Sequence, residues 1–171
     1  FSLGKPWSYI DGLNTNTATA GTSGGIKFTH HPDTMSVWIK RTGPNVTAED
    51  FYLLYYAWSG TAKADSYKNK SNGCSSAPQT NEESDIRQAL DANECGTTQL
   101  ANQIAEGMWR EKKEYGEWTN IRVPIYYFND DVPEMMNMIF SASNYPNFRA
   151  KDGLYKDNAL YVDDIELIYS S

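Results

Sequence analysis

Apolar and polar positions alternate with a period of two through most of the chain, which is the signature of half-buried strands. In "TMSVWIKRTG", Met35, Val37 and Ile39 form one row, Ser36, Trp38 and Lys40 form the other, and a Gly-Pro turn signal follows. "DFYLLYYAWSG" is apolar on both rows and predicts a central strand covered on both sides, or one whose outer face is an aromatic surface. "TNIRVPIYYF" places Ile121, Val123, Ile125 and Tyr127 against Arg122, Tyr126 and Phe128, with Pro124 marking an edge position or a bulge. "EMMNMIFSAS" and the terminal "ALYVDDIELIYSS" are further strands, and "QIAEGMWREK" is a weaker one. The opening 25 residues, rich in Gly, Thr, Ser and Asn, read as a short strand and a long loop.

Five or six strands joined by Gly/Asn/Pro loops, with no alternation of strand and helix, predict an all-β fold: a two-sheet antiparallel β-sandwich of jelly-roll type. One polar excursion, residues 61–98, interrupts the pattern. "TNEE" in it has capping-box spacing ahead of "SDIRQAL", so it is expected to be a loop insertion with a short helix. The 171 residues are expected to form one jelly-roll domain, and the initial Phe suggests a piece, the C-terminal part, of a longer precursor.

In the last strand, Leu160 and Val162 share one row whereas Tyr161, Ile165, Leu167 and Tyr169 share the other. The parity changes at Asp163 and Asp164. Either a bulge inserts a residue there, or one face carries a carboxylate that must be paired, hydrogen-bonded or bound to a cation.

Composition narrows the function. Lys plus Arg number 15 against 22 Asp plus Glu, a formal charge of -7, which opposes attraction to phosphate backbones and excludes nucleic acid as the expected partner. No apolar run reaches transmembrane length, so membrane association is expected only through an anchor outside this chain. Twelve Tyr and five Trp exceed the needs of a core this size, which puts some rings at the surface, where amphipathic aromatics serve recognition. Cys74 and Cys95 sit in polar, loop-like settings; a disulfide between them would imply an oxidising, extracytoplasmic compartment, and two free thiols are the alternative.

No nucleophile elbow, phosphate-cradling glycine loop or zinc-protease helix is present. His30 and His31 precede Pro32 and would diverge in a strand. The acidic pairs Glu49/Asp50, Glu82/Glu83, Asp130/Asp131 and Asp163/Asp164 are adjacent in sequence, and adjacency does not make the two-carboxylate cleft of a glycosidase. Rings beside polar groups are the stronger signal. Trp38 alternates with Lys40, Arg122 with Tyr126, and Tyr56 with Trp58. Sugars suit such surfaces, because their C–H faces stack on rings while their hydroxyls bond to charged groups.

The end segment "SASNYPNFRAKDGLYKDNALYVDDIELIYSS" resembles the C-terminal motif of jelly-roll carbohydrate-binding modules with a galactose-binding-like fold. More narrowly, it is similar to the carbohydrate-metabolism domain at the C-terminus of cell-surface proteins and lipoproteins of Bacteroidota. "FSLGKPW", "SVWIKRTG" and "EWTNIRVPIYY" look like that family's opening segment, early strand and Trp-led strand. The resemblance implies carbohydrate-related work at the cell surface or in the periplasm, and a structural calcium held in part by Asp163 or Asp164, although "FSLGKPW" lacks the family's usual first-strand acid and Asp11 alone stands nearby.

The expected function is therefore non-catalytic glycan binding in polysaccharide use, with Trp38, Lys40, Trp58, Arg122 and Tyr126 on the binding face. The rivals are a glycoside hydrolase or lyase with dispersed carboxylates, and a structural or adhesive module without a sugar site.

Overall fold

A computed structural model describes residues 1–9, 19–23, 25–60, 63–64, 97–99, 102–143 and 157–170. Every regular element in them is a strand. In chain order they are β1 (Lys5–Tyr9), β2 (Thr19–Ser23), β3 (Ile26–Lys27), β4 (Thr34–Thr42), β5 (Phe51–Ser59), β6 (Lys63–Ala64), β7 (Thr97–Gln99), β8 (Asn102–Glu111), β9 (Tyr115–Pro124), β10 (Tyr126–Tyr127), β11 (Met135–Ser141) and β12 (Ala159–Ile168).

Two antiparallel sheets carry the fold: five strands in the order β10-β8-β5-β11-β3, and three in the order β12-β4-β9. The pairs β1-β2 and β6-β7 stand as separate two-stranded ribbons. The chain passes back and forth between the two main sheets, as a jelly-roll sandwich requires. The proposed helix and both cysteines of the insertion lie outside the described residues, as does Asp11.

Alternation accounts for the core. Met35, Val37 and Ile39 of β4, Phe51, Leu53, Tyr55 and Ala57 of β5, Ile121 and Val123 of β9, and Met136, Met138 and Phe140 of β11 interdigitate between the sheets. Each large apolar side chain in that layer contributes about 1.5–3 kcal/mol of burial. As expected of a central strand, β5 is covered on its other face too, where Leu54, Tyr56 and Trp58 form a second cluster with Tyr52, Met135 and Ile139.

The parity change in β12 is a bulge. Asp163 pairs with Trp38 and Glu166 with Ser36, so Asp164 and Ile165 together oppose the single residue Val37. The inserted residue moves Leu167 onto the inner row already held by Leu160 and Val162, and all three pack on the core. Asp164 takes the strain at φ 43°, a left-handed conformation that Asp tolerates better than most residues. The Asp163 carboxylate accepts a hydrogen bond from the Asp164 amide at 2.9 Å, and both side chains are exposed.

Polar groups fasten the ends of the sandwich. Asn137 is fully buried on β11; its Oδ1 accepts from the amides of Leu3 and Gly4, both at 3.1 Å, and its Nδ2 donates to the Tyr56 hydroxyl at 2.9 Å. Asn137→Leu removes these hydrogen bonds, so a loss of about 2–3 kcal/mol is expected in urea unfolding. At the other end of the chain the Ser170 amide donates to the Asp33 carboxylate, which holds its pKa below the usual carboxylate value. The folded pKa is the lower one, so this tether is complete above the unfolded value of about 3.9 and is lost as pH falls through the folded value. An acid titration followed by NMR should show the Ser170 amide resonance moving below about pH 4.

Candidate functional site

The outer row of the three-stranded sheet is where polar residues and rings meet. On β4 it runs Ser36, Trp38, Lys40; on β9, Trp118, Asn120, Arg122; on β12, Tyr161, Asp163, Glu166. Register sets the neighbours. Trp38 stands between Asp163 and Asn120, Ser36 between Glu166 and Arg122, and Lys40 opposite Tyr161. Trp38, Trp118 and Tyr161 are 42%, 47% and 51% exposed, far more than packing residues of their size would be.

Trp38, Trp118, Asp163 and Asp164 line a cleft of about 270 Å³ on this face. That is below the roughly 300–1,000 Å³ of sites that enclose a small molecule, so the cleft suits a ring laid against the sheet more than an engulfed ligand. The β12 bulge shapes one wall by turning two successive carboxylates out beside the indoles. Asn120 donates from Nδ2 to Ser36 Oγ at 2.8 Å, which fixes the polar floor beside Trp38.

Three of the five expected ligand-binding residues, Trp38, Lys40 and Arg122, share this face, although of the three only Trp38 lines the cleft. The other two lie elsewhere. Trp58 is 8% exposed and stacks on Tyr56 at 5.3 Å in the second cluster of the five-stranded sheet, so it packs rather than presents a ring. Tyr126 is exposed but belongs to β10, opposite Glu106 at the edge of the five-stranded sheet. The expected pairing of Arg122 with Tyr126 fails because the chain leaves one sheet after Pro124. The Ile125 amide donates to the Asp33 carbonyl at 2.9 Å, and the next two residues pair with β8.

Trp118 and Tyr161 were not among the expected residues. The signal for Trp118 was its parity with Asn120 and Arg122; Tyr161 becomes a neighbour only through cross-strand register.

The other candidates have structural partners. His30 lies edge-on between Phe28 and Tyr169, while His31 packs on Tyr127 and places Nε2 3.0 Å from the Asp131 carbonyl, so the two rings diverge. Glu49 accepts from Asn158 at 2.8 Å, Asp50 pairs with Arg110 at 2.6 Å, and Asp131 accepts from Asn102 at 2.7 Å. Glu82 and Glu83 lie outside the described residues.

Among the described residues no third Asp, Glu, His or Cys joins Asp163 and Asp164 in an arrangement that could hold a metal. Calcium takes six to eight oxygens, and one oxygen of the Asp163 carboxylate accepts the Asp164 amide.

No protein-family model matches the chain, and no curated protein matches it. Two solved structures are similar in fold, each described as a "putative glycoside hydrolase". One, from Bacteroides vulgatus ATCC 8482, is 17% identical with a TM-score of 0.48, over 86% of this chain and 56% of that one. The other, from Bacteroides thetaiotaomicron VPI-5482, is 17% identical with a TM-score of 0.46, over 93% of this chain and 43% of that one. The present chain thus spans about half the length of these two proteins.

Proposed function

We propose that the outer face of the β12-β4-β9 sheet binds glycans and that the protein serves polysaccharide use outside the cytoplasm. The observation that carries this reading is the pair of exposed indoles, Trp38 and Trp118, bordering one cleft with two carboxylates. Indole faces would take the C–H faces of a sugar, and Asp163 and Asp164 would bond to its hydroxyls. The sequence resemblance to carbohydrate-related domains of Bacteroidota points the same way.

Binding fits the cleft better than catalysis. Glycoside hydrolysis needs two carboxyl groups facing each other across the scissile bond, about 5–9.5 Å apart. Here the two carboxylates come from successive residues of one strand on one side of the cleft, and Asp163 is engaged by the Asp164 amide.

Affinity electrophoresis through gels containing neutral and charged polysaccharides, with and without EDTA, tests the reading. Retardation by at least one polysaccharide is expected. Uniform mobility in every gel would overturn it, and retardation lost only in EDTA would show that binding needs a cation.

A further inference from the structure

The geometry points to charge selection in this cleft: it favours glycans bearing a free amine, accepts neutral ones and rejects uronates. This rests on the glycan reading and adds the ligand's charge. Both charged residues lining the cleft are acidic, Asp163 and Asp164, and its other lining is indole. The basic residues of the face stand apart from it. Lys40 is two residues beyond Trp38 along β4, and Arg122 lies in the Ser36 row, with Glu166 across Ser36 from it.

An ammonium group entering the cleft would meet carboxylates along one wall and the negative faces of indoles, the strongest cation–π partners among side chains. A neutral sugar keeps stacking and carboxylate-accepted hydroxyl bonds. A uronate would bring a third negative charge to the same wall, in a chain whose formal charge is already -7.

The carboxylates can be neutralised without disturbing the strand. Asn keeps the side-chain oxygen that accepts the Asp164 amide at position 163, and it is well suited to the left-handed conformation at position 164. Asp163→Asn/Asp164→Asn should therefore fold with an unchanged melting temperature while losing the charge preference.

The test is a titration of the wild-type and doubly substituted domains with three β-1,4-linked oligomers, of glucosamine, glucose and glucuronate, at pH 6 and at low and high salt. For the wild type, the glucosamine oligomer should bind about three- to tenfold more tightly than the glucose oligomer, with the glucuronate oligomer weakest. High salt should compress this order, and the double substitution should bring the glucosamine and glucuronate oligomers to within about twofold of each other. Equal binding of all three, or an order unchanged by the double substitution, would overturn charge selection and leave the glycan reading standing. Failure of the glucosamine oligomer to bind while polysaccharide gels retard the domain would do the same. Failure of all three oligomers together with uniform mobility in the gels would overturn both.

Discussion

Replacing Arg41 by methionine should cost the domain about 3–5 kcal/mol, the largest loss expected from any substitution outside the apolar core. Arg41 occupies an inward position of β4 and is fully buried. Its Nη1 donates to the carbonyls of Val46 and Lys113, and its Nη2 to those of Glu49 and Ala142, at 2.8 and 3.4 Å respectively. One guanidinium thus ties the turn after β4, the β8–β9 connection and the end of β11 to the sandwich. Its carbon centre lies 5.0 Å from the centroid of the Phe51 ring.

Burial lowers the Arg41 pKa, while Glu49 and Asp50 act to raise it; guanidinium starts so high that the group stays charged. Methionine would fill the volume but leave four carbonyls without their donor. Lysine keeps the charge and loses the planar fork that reaches three segments at once, so it should recover less than half of the loss. Urea unfolding of the three proteins measures this. A methionine variant within about 1 kcal/mol of wild type would show that water serves these carbonyls equally well.

The second large effect concerns binding. Trp38→Ala is expected to weaken glycan affinity at least tenfold, about 1.4 kcal/mol or more, because it removes one ring of the cleft and the centre of the face. Stability should change by less than about 1 kcal/mol, since the ring is nearly half exposed on the outer side of the sheet. Trp58→Ala should do the reverse. Removing a ring that packs on Tyr56 leaves a cavity costing about 3–5 kcal/mol, and the affinity of the folded fraction should be retained. Calorimetric titration beside thermal unfolding separates the two. Equal affinity losses for both variants would place the sugar elsewhere.

The contrast between these tryptophans marks what alternation can and cannot disclose. Parity within a strand places Trp38 and Lys40 on one face, and in β12 it places the irregularity at the Asp pair. It does not say whether the second face of β5 is covered, since an aromatic run reads alike when buried by a second layer and when open to ligand. Nor does it register a change of sheet. Ile121, Val123 and Ile125 all point into the same core, although the chain crosses between layers after Pro124, so nothing in the apolar row separates Arg122 from Tyr126.

The weak signal of β8 has a local cause. Gly107 interrupts its pattern because a Cβ there would stand 2.8 Å from the Pro124 carbonyl oxygen, at the crossing of the two sheets. The cleft itself depends on register among β12, β4 and β9, three strands far apart in sequence, and on a bulge that turns Asp164 outward. Neither the partners of Trp38 nor the company of Trp118 and Tyr161 is written in any single segment.

The chain's five tryptophans give five indole N–H resonances in a ¹⁵N-correlated spectrum, each assignable by substitution. Titrating the domain with a polysaccharide fragment that retards it in gels should shift the indole signals of Trp38 and Trp118 together, with one dissociation constant, and leave that of Trp58 in place. Shifts confined to other tryptophans, with Trp38 and Trp118 unmoved at saturation, would contradict the assignment of the three-stranded face as the glycan-binding surface.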